Sequence, residues 1–126
     1  MPFSHIVTTS VQSPSGNLAR SATYSASLEA NIDEPTLAIG TNTPIAIILD
    51  VSVLKSLVIS SSTACTIKTN STTVPGDTLT FAAGEQKQWN TDSYGAPLLA
   101  VDVTIIYVTN AAQTNLQLRA IQDATP

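Results

Sequence analysis

Apolar and polar side chains alternate along much of this chain with a period of two. The clearest run is residues 24–32, where Tyr24, Ala26, Leu28, Ala30 and Ile32 alternate with Ser25, Ser27, Glu29 and Asn31. That is the pattern of a strand with one buried face and one wet face. Asp33-Glu34-Pro35 predicts its end, because Pro has no N–H to give a central ladder. Residues 36–39 read as a short strand closed by Gly40-Thr41-Asn42. After Pro44, the run Ile45-Ala46-Ile47-Ile48-Leu49 is apolar at every position, which predicts a strand covered on both faces. Residues 51–60 form another strand candidate. Asp50-Val51-Ser52 is a weak turn, so 45–60 also reads as one long bent strand.

The second half keeps the same rhythm. In residues 63–69, Cys65 and Ile67 oppose Thr66 and Lys68, and Asn70-Ser71 marks a hairpin turn. A return over 72–74 is possible before the strong turn signal Pro75-Gly76-Asp77. Residues 78–82 place Leu79 and Phe81 on one side, and Ala83-Gly84-Glu85 breaks that strand. Residues 86–90 carry Trp89, and 91–99 read as a loop. Residues 100–110 give the strongest strand. Val101, Val103, Ile105 and Tyr107 share one face, while Ile106 and Val108 make the other face partly apolar. Leu116 and Leu118 alternate with Gln117 and Arg119, although 113–122 also holds good helix formers.

No segment sustains a period of 3.6. Short strands spaced about 8–12 residues apart, with turn signals between them, predict an all-β fold. The expected architecture is a single antiparallel β-sandwich, jelly-roll-like, with about eight strands over residues 21–126. Residues 1–20 differ from the rest. They are polar, alternate weakly from Ile6 to Val11, and hold a turn at Ser13-Pro14-Ser15-Gly16-Asn17. They read as an N-terminal arm or an edge strand, and an arm reaching a neighbouring subunit would act as cement.

Composition narrows the function classes. The 126 residues suit one domain and are 43% hydrophobic but only 11% charged, against a usual charged share of about 25%. Ser and Thr, about a quarter of the chain, fill the gap. Thr also favours strands, but a surface of hydroxyls loses little on being desolvated against a partner. The five cations, Arg20, Lys55, Lys68, Lys87 and Arg119, are scattered in a chain of net charge −4. No basic stripe exists for a run of phosphates, so nucleic acid is not an expected partner. The longest apolar runs are too short to span a bilayer, and the first residues lack a signal-peptide pattern. The expectation is a soluble chain made in the cytoplasm. Cys65 is the single cysteine, which excludes an internal disulfide and suits a small buried thiol.

Candidate chemistry is sparse. His5 is the only histidine, so any Ser-His-Asp or Cys-His centre has to use it. One His and one Cys exclude a structural zinc site within the chain. The acids fall mostly in turns, without the spacing of a calcium loop. No cofactor motif is present, and the chain does not read as an enzyme. Trp89 and Tyr94 flank a loop and could stack on a sugar if both are exposed. The residues favour Trp89 filling the core, because the chain has few other large anchors.

Residues 57–123 resemble the small β-sandwich or jelly-roll virion proteins of tailed bacteriophages, of the capsid-decoration (cement) or head-fibre type. The likeness rests on Leu57-Val58-Ile59-Ser60-Ser61-Ser62, Thr66-Ile67-Lys68-Thr69-Asn70, Asp77-Thr78-Leu79, Ala83-Gly84, Gln88-Trp89-Asn90, Asp102-Val103-Thr104, Ile106-Tyr107-Val108-Thr109-Asn110 and Leu116-Gln117-Leu118. It covers about half of the chain and lies in strand-and-turn rhythm. The resemblance implies a structural protein on the virion surface that binds the major capsid protein, as a homotrimer at local three-fold points. A carbohydrate- or receptor-binding module of a head fibre or tail is the alternative. The expected partner-binding residues are Phe3, His5 and Ile6 of the arm, with Trp89 and Tyr94 as a second group.

Overall fold

A computed structural model describes residues 3–92 and 97–123. Ten strands make up the described chain: β1 Phe3–Ser13, β2 Gly16–Ala26, β3 Leu28–Leu37, β4 Gly40–Leu49, β5 Leu54–Ser61, β6 Cys65–Thr69, β7 Thr78–Phe81, β8 Gln86–Asn90, β9 Val103–Asn110 and β10 Thr114–Gln122. The last eight form two four-stranded antiparallel sheets, ordered β3-β10-β5-β8 and β4-β9-β6-β7. The pairs β3·β10, β4·β9, β5·β8 and β6·β7 are those of one long hairpin folded in half. That is the topology of a jelly roll, with the eight strands the sequence rhythm called for.

The inward side chains of the two sheets form one core. Ile32, Leu57, Ile59, Leu116, Leu118 and Ala120 come from the first sheet. Ile47, Leu49, Cys65, Ile67, Phe81, Val103, Ile106 and Val108 come from the second. Cys65 is buried as expected, its sulfur 3.3 Å from the Ser61 hydroxyl. Asn110 is buried at one end of this core with both ends of its amide satisfied. Asn110 Oδ1 accepts from Gly40 N–H at 3.1 Å. Its Nδ2 donates towards the carbonyls of Ala112 (2.9 Å) and Ala38 (3.2 Å) and the hydroxyl of Thr114 (3.0 Å). Asn110 therefore clasps the β3–β4 corner to the β9–β10 turn, where the chain passes between sheets.

Several local expectations give way to tertiary context. The run at 24–32 is two strands, because the chain bends at Ser27, whose N–H bonds the Asp123 carboxylate at 3.3 Å. Pro35 does not end β3. It sits in an edge strand, at the register break where Leu37 opposes Thr114 and Glu34 opposes Leu116, so the ladder asks no N–H of it. Residues 45–49 are covered on one face only. Strand β4 is an edge, Ile47 and Leu49 point inward, and Ile48 is 72% exposed. In β9, Ile106 and Val108 fill the core beside Val103, while Ile105 and Tyr107 are only half-buried and Val101 is exposed. The Asn70 side chain explains part of this change of phase. It accepts from Thr104 N–H (2.9 Å) and donates to the Asp102 carbonyl (2.7 Å), acting as a short extra strand. Residues 72–74 do not return as a strand, since the Ser71 hydroxyl accepts from the N–H groups of Thr73 and Val74. Residues 114–122 are the central strand β10, with no helix there, because β3 and β5 pair it on both sides.

The N-terminal segment is a separate antiparallel ribbon. Strands β1 and β2 pair without a break from Phe3↔Ala26 to Ser13↔Gly16, closed by Pro14-Ser15. The ribbon runs through Ala26, so residue 20 lies within β2 and not at its end.

Candidate functional site

The ribbon lies on the outer face of the β3-β10-β5-β8 sheet, and period two sorts its side chains. One face carries Phe3, His5, Val7, Thr9 and Val11, paired with Ala26, Tyr24, Ala22, Arg20 and Leu18. The opposite face is largely hydroxyls, with Ser4 against Ser25 (3.2 Å) and Thr8 against Ser21 (2.9 Å) joining the strands. At the ribbon's base the first face meets the sandwich. Ala26 is 3% exposed, and His5 Nδ1 lies 2.9 Å from the Ser56 hydroxyl of β5. Further out, Tyr24 donates to the Asp92 carboxylate at 3.0 Å. Thr9, Arg20 and Ala22 then roof a hollow of about 190 Å³ over Gln88, Asn90 and Asp92 at the β8 edge.

Electrostatics at the base favour a neutral tether. Partial burial lowers the His5 pKa, Glu29 opposes that shift and Arg119 reinforces it. A neutral imidazole can share one hydrogen with Ser56 without placing an uncompensated charge on the sheet. The Tyr24 phenol is pushed upward by desolvation and by its bond to Asp92, which keeps it protonated and donating. The Ser–His pair does not have the form of an exposed nucleophile. Ser56 is fully buried beneath the ribbon, so its hydroxyl cannot meet an external substrate. No cluster of three His, Cys, Asp or Glu side chains exists among the described residues to hold a metal ion.

Beyond Ala22 the ribbon leaves the sheet. Residues 8–13 and 16–21 are all exposed. Val11 and Leu18 face each other across the ribbon at 54% and 75% exposure, on the same face that the sandwich covers nearer the base. The tip thus carries an apolar pair with nothing over it among the described residues.

No protein-family model, curated protein or solved structure matches this chain.

The five residues expected to bind a partner are only partly brought together. Phe3 and His5 share the sheet-facing side of the ribbon, and Ile6 points to the opposite side at 73% exposure. Trp89 opposes Leu57 on β8 and packs against the core, away from the ribbon's face of the sheet. Its indole N–H is buried and finds no acceptor among the described residues. Tyr94 lies outside the described residues. Val11, Leu18 and Ser56 were not singled out from the sequence. A signal for Leu18 was present, since Leu18 and Ala22 extend the alternation at 24–32 backwards across Arg20, and Val11 closes the weak alternation that starts at Ile6. Ser56 carried no such signal, since its role depends on where the ribbon lands.

Proposed function

We propose that this chain is a structural, non-catalytic virion protein that decorates or cements a phage capsid by binding the major capsid protein, as a homotrimer. The supporting observation is the ribbon: a jelly roll with a filled core holds out an exposed apolar pair on an arm tethered through His5 and Tyr24. A cement protein needs a rigid body, a projecting contact and a surface that loses little on desolvation. Here the arm supplies the contact and the hydroxyl coat supplies the surface. The carbohydrate-binding alternative needs an exposed platform of Trp89 and Tyr94; Trp89 packs inward, and Tyr94 lies outside the described residues. Jelly rolls host capsid, lectin and enzyme functions alike, so the fold by itself does not choose among them.

The test uses particles made without this chain. Adding the purified protein back should saturate the shell at a fixed ratio to the major capsid protein and raise the temperature at which shells break. Shells that neither bind the protein nor gain heat resistance would remove the proposal.

A further inference from the structure

The outer strands of the sandwich all carry features that discourage pairing with another chain. Strand β3 holds Pro35 at a register break. Strand β4 holds Pro44 between two register breaks, Gly40/Thr43 and Ala46/Leu49. Strand β7 has four residues. Strand β8 turns Lys87 towards the core side, opposite Ile59, where its ammonium lies 5.1 Å from the Phe81 ring and 3.0 Å from Glu85. Proline, bulges, short length and an inward lysine are the ordinary means by which sheet edges avoid edge-to-edge association.

The ribbon has none of them. Its two strands are eleven residues each, unbroken in register, with Pro14 confined to the turn. Residues 3–19 contain no Asp, Glu, Lys or Arg, while all nine acids of this −4 chain lie at residues 29–123. Two copies of an acidic protein repel each other at most surfaces, and the ribbon, whose one charged residue is Arg20, is where they can meet without opposing carboxylates. A two-stranded ribbon is also marginal alone in water and gains from further strands and a covered face.

We propose that the ribbons of separate copies pair edge to edge through residues 7–12 and 17–22, enclosing the Val11–Leu18 pairs between them. The occupant is a second copy of this chain, and two further observations favour it. Both ribbon edges are free, so each copy offers a donor edge and an acceptor edge that a closed ring satisfies completely. The apolar face that would be enclosed continues the face already packed on the sandwich.

In a ribbon closed by a two-residue loop, the flanking pair Ser13–Gly16 is hydrogen-bonded, so the N–H groups of Ser10 and Ala19 point outward. Those are the donors a neighbouring ribbon would use. This self-association does not depend on the capsid reading. A chain that forms multimers yet leaves shells undecorated would keep this proposal and lose the preceding one.

Sedimentation equilibrium of the full chain tests it, with Val11→Ser/Leu18→Ser and Ala19→Pro as variants. Circular dichroism and the melting curve check that each variant keeps the jelly roll. The full chain should be multimeric at tens of micromolar, and each variant should raise the dissociation constant at least about a hundredfold. A monomeric full chain overturns the proposal. So do folded variants that associate as tightly as the original.

Discussion

Replacing Asn110 by Ala removes the clasp between the two corners of the jelly roll. Asn110 is 4% exposed, and of its partners Thr114 is fully buried and Gly40 half-buried, while Ala38 and Ala112 lie at the surface and regain water readily. Gly40 N–H loses its acceptor, and the Thr114 hydroxyl and the Ala38 and Ala112 carbonyls lose a donor. Thr114 keeps its own bond to the Ala112 carbonyl and its contact with Thr63, so its loss is partial. The Gly40 amide is the group left without a strong substitute. One unsatisfied buried group costs about 1–3 kcal/mol, and the weakened remainder adds about another 1 kcal/mol. The expected total is about 3 kcal/mol. Unfolding entropy of about 2.1 cal/mol/K per residue turns that into a fall in Tm of about 11 °C for a chain of this length. Calorimetry on the purified variant reads the change. A fall below about 2 °C would refute the reasoning, since it would mean the corner holds without its central side chain.

Two further perturbations test the ribbon tether and the blunted edge. The His5 pKa in the docked ribbon lies below its ordinary 6.5. Docking is therefore at full strength above pH 6.5, where His5 is neutral both docked and released. It weakens as pH falls from 6.5 through the lowered docked value, because the released ribbon binds the proton first. Glu29 and Arg119 are the charged groups that act on it, the first opposing the shift and the second adding to it. A nuclear magnetic resonance titration should place the His5 midpoint below 6.5, and a midpoint above 6.5 would contradict the tether. Lys87→Val keeps a strand former in β8 but removes the inward charge at its edge. Light scattering should show added, concentration-dependent association through the sandwich, and unchanged scattering would mean that β8 is protected by something else.

The sandwich was legible in the sequence because its strands are short, alternate in polarity and are punctuated by Pro, Gly and Asn. What the alternation could not show was which strands lie at edges. Ile48 and Ile47 look alike in sequence, and only the place of β4 at the border exposes the first and buries the second. The same holds for Pro35, which reads as a terminator until β3 proves to be an edge with a bulge. In β9 both faces are apolar, so periodicity could not choose between Ile105 and Ile106. The ribbon was legible as an arm with a turn, but its extent was not. The run at 24–32 keeps its phase through the bend at Ser27, and period-two reading has no means of seeing a bend that preserves phase. The Ser56 tether joins residues fifty-one positions apart and leaves no local trace.

Hydrogen exchange at the ribbon tip bears most directly on the claim that this arm is made to be covered. In the assembled protein, the outward amides of Ser10 and Ala19 should exchange far more slowly than they do in the Val11→Ser/Leu18→Ser variant. Equally fast exchange in both would mean that the tip stays bare and that docking, if it occurs, uses another surface.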